Sequence, residues 1–149
     1  MALKPDRIEH LTDISFFMNT TEERGGVACF ASVGVGASMD DADAVVEYAP
    51  AVSGSVPAGV LLNDVVDLDL TRQHINWHKD EVQVGGKVTL LRVGQVVTDQ
   101  IQGNPAVGNA AYVGPSGLIS TTSTNAAKIG TFLSAKDSDG YAKVSINIQ

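Results

Sequence analysis

The sequence predicts an all-β protein: a small antiparallel β-barrel or sandwich with an extended N-terminal arm. Apolar runs of strand length recur roughly every ten residues, and the residues between them are the Gly, Pro, Asn and Asp that favour turns. No long amphipathic helix pattern is present, which disfavours an α/β fold with parallel strands. The 149 residues suffice for one core. We therefore predict an arm at 1–24 and a single β-domain at 25–149.

The N-terminal arm lacks any apolar stripe at helical spacing longer than about two turns. Ile8, Leu11 and Ile14 recur every three residues, so a short helical turn and an extended arm both stay open. Together with Phe16 and Phe17 they belong to a charged segment too short for a core of its own. Because terminal segments are ordered only when they dock, we predict that these five side chains contact the domain itself or a neighbouring subunit. We therefore expect the β-domain to fold without residues 1–19.

β-structure is predicted to begin after Gly26. One stretch is expected to form two short strands around Val93–Gly94. Turn chemistry at Gly114–Gly117 and at Asp137–Gly140 predicts two hairpins, because Gly, Pro and Asp favour the backbone angles of tight turns. In chain order the strand-like stretches are GVACFASV (26–33), AVVEYA (44–49), GVLLNDVVDLDLT (59–71), KVTLLRVGQVVTD (87–99), AAYVGPSGLIST (110–121) and IGTFLSAKDSDGYAKVSINI (129–148).

Charge and hydropathy exclude several classes of partner. The net charge of −7 and the pI near 4.7 disfavour nucleic acid, since a nucleic-acid binder needs Lys and Arg to displace counterions from phosphates. No apolar run approaches the roughly 18–20 residues that span a bilayer, so no membrane partner is expected. The start of the chain is charged where a signal peptide would be apolar. The single cysteine, Cys29, lies in a small apolar run and is interpreted as a buried structural residue.

His74 and His78 form the pair with the strongest resemblance to a metal site. On a helix such an i,i+4 pair can hold zinc, but the glutamate of the metalloprotease pattern is absent between them. On a strand the two would lie about 13 Å apart, too far for one metal. We interpret the segment as a polar turn whose Trp77 covers one end of the barrel or forms a subunit contact.

The remaining motifs do not predict chemistry. The glycines of the loop at 32–38 lack the flanking strand and helix of a dinucleotide-binding fingerprint. The Asp-Ser-Asp-Gly turn lacks the later ligands of a calcium loop. No serine lies in a nucleophile elbow. We therefore predict no cofactor, no metal and no enzymatic activity.

Four stretches together resemble the head decoration, or capsid cement, proteins of tailed bacteriophages. The resemblance covers nearly the whole chain and implies a barrel-like domain with an arm, homotrimers, no enzymatic activity, and the major capsid protein as partner. It also implies a place on the outer surface of the virion after synthesis in the host bacterial cytoplasm. Two alternatives stay open: a tail or baseplate component, and a small-molecule- or carbohydrate-binding barrel that uses His74 or His78. The stretches are PDRIEHLTDISFFMN, NDVVDLDLTRQHINWHKDEVQVGGKVTLLRVGQVVTDQI, GNAAYVGPSGLIS and IGTFLSAKDSDGYAKVSINI. The predicted capsid or subunit contacts are Ile8, Leu11, Ile14, Phe16, Phe17 and Trp77.

Overall fold

The protein is nearly all β, as predicted. The computed structural model describes residues 3–4, 6–31, 45–64, 68–69, 74–75 and 81–148, with the backbone alone for 64, 68–69 and 74–75. The strands of this part of the chain are β1 (Ile8–Met18), β2 (Glu22–Glu23), β3 (Val27–Phe30), β4 (Val45–Glu47), β5 (Pro57–Asp64), β6 (Leu68–Asp69), β7 (His74–Ile75), β8 (Glu81–Val82), β9 (Lys87–Thr98), β10 (Ala110–Val113), β11 (Ile119–Ser120), β12 (Lys128–Phe132) and β13 (Ala142–Asn147).

Nine strands form one mostly antiparallel sheet that partly closes on itself. Their order is β1-β4-β3-β5-β9-β13-β12-β10-β11, and β1 also pairs with β9. The strands β1, β4, β3, β5 and β9 therefore form a closed ring of pairings. One pairing of the ring, β1 with β4, is parallel, with Phe17 opposite Val45. Two further two-stranded sheets pair β2 with β8 and β6 with β7.

All five ring strands contribute side chains to one apolar cluster, so this cluster lies inside the ring. Its members include Met18 from β1, Ala28 from β3, Val46 from β4, Leu61 from β5 and Leu90 from β9, all of them buried. Because the contributing strands are far apart in the chain, this core forms only when the ring closes.

A second cluster lies between the outer face of the ring and the remaining strands of the sheet. Val27, Val60 and Leu91 of β3, β5 and β9 pack there with Phe132 of β12 and Ile146 of β13. The three ring strands are thus buried on both faces. Strands of this kind have continuous apolar runs rather than alternating ones, which accounts for the runs at 27–29 and 60–62.

Strand β1 lies before the point at which β-structure was expected, so the prediction that strands begin only after Gly26 is wrong. The predicted arm is extended over Ile8–Met18, and this segment pairs with β9 from Ile8 opposite Gln95 to Phe17 opposite Lys87. Three register shifts interrupt the pairing. Each bulge breaks the period-two pattern of a strand. The sequence therefore lacks the alternation of a strand, and Ile8, Leu11 and Ile14 show the spacing of a helical turn instead.

The prediction of two short strands around Val93–Gly94 is also wrong, because β9 runs without a break from Lys87 to Thr98. Its first half pairs with β5 and its second half with β13. Gly94 has a φ of 156°, and a Cβ there would overlap the carbonyl oxygen of Ile8. The glycine therefore marks the place where β1 lies close against β9, not a turn between two strands.

Both predicted hairpins are present. Strands β10 and β11 pair antiparallel around a single 3-10 turn at Pro115–Gly117. Strands β12 and β13 also pair antiparallel, and in the turn that joins them the carboxylate of Asp137 accepts backbone hydrogen bonds from Asp139 and Tyr141, both at 2.9 Å. The hydrogen bond from the Tyr141 amide is the main reason that the pKa of Asp137 lies below its usual value.

Candidate interaction surface on strand β1

The N-terminal segment is fixed at both ends. Leu3 is 3% exposed and forms a β-bridge with Thr98, and the amide of Lys4 donates to the carbonyl of Val97 at 2.9 Å. At the other end Met18 is 2% exposed inside the ring. These two buried side chains hold the strand in place, and of the described residues between them only Phe16 packs against a core cluster.

The middle of β1 presents apolar side chains to solvent. Ile8, Leu11 and Ile14 are 46%, 46% and 54% exposed, and we name these three residues the β1 strip. Residues opposite each other in an antiparallel pair share a face. Leu11 lies opposite the half-buried Val93, and Ile8 opposite Gln95, so these two residues of the strip share a face with their partners on β9. A row of exposed branched side chains on an ordered strand is typical of a contact surface.

One backbone edge of β1 has few partners among the described residues. The strand pairs with β9 along one edge, and within the described part of the chain its other edge pairs only at Phe17 and Met18, with β4. Over residues 8–16 that second edge meets no described strand. The exposed apolar side chains on this ordered strand make it the part of the described surface best suited to contact another protein.

The two phenylalanines predicted as contacts are less accessible than the β1 strip. Phe16 is half-buried, packs against the ring cluster, and lies with its ring centroid 5.7 Å from that of Phe30. Phe17 is half-buried too, with the Lys87 ammonium 5.8 Å from the centre of its ring. The structure thus separates the five arm residues into three exposed ones and two that dock on the domain.

Phe30 is an exposed aromatic residue that the sequence reasoning missed. It is 44% exposed, and its amide donates to the carbonyl of the exposed Val56 at 3.0 Å. The sequence does contain one signal for it, since a large aromatic residue ends a strand of small residues. Since Phe30 contacts Phe16, it enlarges the apolar surface at the ring end of β1.

The histidine segment lies largely outside the described residues. Trp77 and His78 are both outside them, so their predicted roles stay predictions. The backbone of His74 is described, and it pairs with Asp69 in the two-stranded sheet of β6 and β7. Among the described residues no three His, Cys, Asp or Glu side chains come together in a way that could hold a metal ion.

Open depressions on the described surface include the following pair. One, of about 430 Å³, adjoins the β1 strip and is lined by Leu11, Thr12, Asp13 and Arg92. The Nε of this arginine donates to the carbonyl of Ile148 at 3.2 Å, which orients its guanidinium beside the depression. The other, of about 250 Å³, is lined by Val52, Gln102, Val113, Gly114, Pro115, Ser120, Thr122 and Thr124.

The titratable groups buried in the cores do not line either depression. Burial raises the pKa of the Cys29 thiol to about 11, in agreement with its predicted structural role. Burial also raises the pKa of Tyr48. The Tyr48 hydroxyl accepts a hydrogen bond from the amide of Gly26 at 2.9 Å and donates one to the carbonyl of Glu23. Both groups therefore stabilise the fold rather than contribute to a surface site.

Comparison with known proteins adds no family to these observations. Neither the protein-family models nor the curated protein sequences with which the chain was compared match it significantly. Nor does any helix of the described residues have the length and apolar character needed to cross a bilayer. The fold and the β1 strip define an all-β protein with an ordered strand that exposes apolar side chains.

Proposed function

We propose that this chain is a structural virion protein that binds the outer surface of a tailed-bacteriophage capsid and stabilises it. Its partner is the major capsid protein, and it acts as a homotrimer without enzymatic activity. The observation that carries the proposal is the β1 strip, a row of exposed apolar side chains on a strand fixed at both ends. The resemblance of the sequence to capsid cement proteins supplies the class of partner.

The β1 strip is suited to binding because its backbone is already ordered. Ordering a free arm costs about 1–2 kcal/mol per residue, but β1 has incurred that cost by pairing with β9. Fully burying a large apolar side chain contributes about 1.5–3 kcal/mol. Since the three side chains of the strip are about half exposed, covering them recovers about 1 kcal/mol each. One copy then binds weakly, and three copies in a trimer that contact the shell together bind strongly.

The charge of the chain agrees with a position outside the shell. With a net charge of −7, the protein is repelled by DNA phosphates and has no counterion-release contribution to binding them. A protein on the outer surface of a DNA-filled capsid needs no affinity for DNA phosphates. It needs a rigid core, which the two clusters supply, and a repeated contact surface, which the β1 strip supplies.

Co-sedimentation with purified heads tests this proposal. The protein should pellet with mature, expanded heads and not with unexpanded precursors. Replacing Ile8, Leu11 and Ile14 together by Ser should weaken binding to expanded heads at least tenfold, since the loss is about 3 kcal/mol per copy. Wild-type protein that does not pellet with expanded heads refutes the proposal and favours a tail or baseplate role.

A matched control removes equally exposed apolar side chains elsewhere on the surface. This second triple variant should bind heads as the wild type does, and both variants should keep the circular dichroism spectrum of the wild type. If the two triple variants lose binding equally, the β1 strip is not the contact. The control replaces Val84, Val107 and Leu133 by Ser, which are 56%, 71% and 38% exposed.

A further inference from the structure

The depression of about 250 Å³ lies beside the turn that joins β10 and β11, and hydroxyl and amide side chains form a large part of its lining. Ser120, Thr122 and Thr124 follow this turn in the chain, and we name the depression the hydroxyl pocket after them. Gln102 also lines it, and the Oε1 of this side chain would lie 3.4 Å from a Cβ placed at Gly114. Because the glycine lacks that atom, space remains between the turn and the amide. The apolar lining includes Val52, Val113 and Pro115.

Backbone hydrogen bonds hold two sides of the hydroxyl pocket in place. In the turn, the amide of Ser116 donates to the carbonyl of Ala49 at 2.9 Å. On the other side, the amide of Gln102 donates to the carbonyl of Ile119, also at 2.9 Å. A ligand does not have to order walls that the fold already fixes, and this lowers the cost of binding.

The polar side chains of the hydroxyl pocket have unused hydrogen-bonding capacity. Ser120 is 2% exposed, and its Oγ accepts a hydrogen bond from the amide of Thr122 at 3.0 Å. Its own hydroxyl proton has no acceptor among the described residues. Thr122, Thr124 and Gln102 are exposed, and their side chains form no hydrogen bond within the described part of the chain. Since hydroxyl and carboxamide groups both donate and accept, the pocket offers donors and acceptors to a ligand.

The chemistry of this lining disfavours two kinds of ligand. A charged group would lose hydration without meeting an opposite charge, because none of the described lining residues is charged. A purely apolar ligand would displace water from the hydroxyl and amide groups and leave them without partners. The ligand that suits the pocket is neutral, carries several hydroxyl groups, and has C–H faces that contact Val52 and Val113.

We infer that the hydroxyl pocket binds one neutral pyranose sugar ring. Pockets that take drug-sized ligands have volumes of about 300–1,000 Å³, so a volume of about 250 Å³ suits a single ring. With about twelve non-hydrogen atoms and the usual free energy per atom of a small ligand, such a ring binds with a Kd of about 1–5 mM. This inference goes beyond the proposed function and does not depend on it, because the hydroxyl pocket shares no described residue with the β1 strip.

Nuclear magnetic resonance titration of the isotope-labelled full-length chain tests the inference. The probes are the methyl glycosides of glucose, galactose, mannose and N-acetylglucosamine, each raised to about 50 mM, well above the expected Kd. At least one of them should shift the amide signals of Thr122 and Thr124 with a Kd in the expected range. The methyl glycoside of glucuronic acid, which carries a carboxylate, should leave these signals in place.

A neutral peptide amide, N-acetylglycinamide, serves as a comparison ligand of another class. It should shift the signals of Thr122 and Thr124 less than the best sugar does. The inference is overturned if none of the four neutral sugars shifts these signals. It is also overturned if the glucuronide binds as tightly as the best neutral sugar, or if the peptide amide binds more tightly.

A double variant removes two hydroxyl groups from the pocket at nearly constant side-chain volume. Thr122→Val/Thr124→Val should weaken binding of the best sugar at least fivefold, and so should Gln102→Ala, which removes the amide. The matched control, Thr12→Val/Thr89→Val, makes the same chemical change on β1 and β9 and should keep the wild-type affinity. All variants should keep the wild-type circular dichroism spectrum. Wild-type affinity in both pocket variants, or an equal loss in the control, would refute the inference.

Head binding separates this inference from the proposed function. The pocket variant Thr122→Val/Thr124→Val should pellet with expanded heads as the wild type does, because the β1 strip is unchanged. If the wild type pellets with heads but no neutral sugar shifts the pocket signals, the inference fails and the capsid role stands. If a sugar binds the pocket but the wild type does not pellet with heads, the capsid role fails and the sugar site stands.

Discussion

Deleting residues 1–19 should unfold this protein, although the sequence alone predicts that the domain tolerates the loss. The deletion removes Leu3 and Met18, both almost fully buried. Each contributes about 1.5–3 kcal/mol by burial, so about 3–6 kcal/mol is lost from these two side chains. It also removes the strand that closes the ring and exposes the cluster around Leu61 and Leu90. Since the whole free energy of unfolding of a typical domain is about 5–15 kcal/mol, little stability remains.

Urea denaturation followed by circular dichroism measures this effect. We expect the truncated chain to unfold at a far lower urea concentration than the wild type or to lack a cooperative transition. A shorter deletion of residues 1–6 removes Leu3 but keeps Met18, so it should lower the free energy of unfolding by only about 1.5–3 kcal/mol. The Ser variant of the β1 strip keeps both anchors but removes the buried halves of three side chains, so it should lower the free energy of unfolding by about 3 kcal/mol.

A truncated chain with the wild-type midpoint and slope would refute this reasoning. It would mean that residues 1–19 form a detachable arm and that the ring cluster is stable without β1. A truncated chain that folds only when a synthetic peptide of residues 1–19 is added would support it, because the peptide then replaces the missing strand.

Two further predictions concern buried groups. Tyr48→Phe removes the hydroxyl that bonds the Gly26 amide and the Glu23 carbonyl. The substitution should lower the free energy of unfolding by about 1–3 kcal/mol, and the thermal midpoint should fall by about 2–4 °C per kcal/mol. A thermal midpoint unchanged within about 1–2 °C would contradict this prediction. Burial raises the pKa of Cys29 from 9.0 to about 11, so the folded state disfavours the thiolate. The free energy of unfolding of the wild type should therefore fall between about pH 9 and pH 11, relative to that of Cys29→Ala. Alkylation by iodoacetamide at pH 8 should require unfolding, and rapid labelling of the native protein would show an accessible thiol.

The sequence alone determined those parts of the structure that depend on neighbouring residues. The hairpins at Gly114–Gly117 and Asp137–Gly140 were predicted because turn geometry is set by the few residues within the turn. The alternation of β13 was visible because one of its faces is buried: Ala142, Val144 and Ile146 are buried, and Lys143 is exposed. The all-β class followed from the repetition of such local signals.

The candidate contact surface could be located from the sequence only in part. Ile8, Leu11 and Ile14 were identified because large apolar residues in a charged terminal segment need a partner. The sequence could not predict that these three side chains stay exposed while Phe16 and Phe17 dock on the domain. Exposure depends on what a side chain meets after folding, and here it is set by the register of β1 on β9, three shifts included.

Only the tertiary structure decided that β1 belongs to the sheet and that the five strands close into a ring. The pairing of Ile8 with Gln95 joins residues more than eighty positions apart, and no local pattern encodes it. Gly94 shows the limit most clearly: within its own segment it signals a break between strands, while in the fold it leaves space for the Ile8 carbonyl. Local chemistry fixes turns and strand faces, because these depend on adjacent residues. Long-range packing fixes strand order, because it depends on which distant surfaces bury each other.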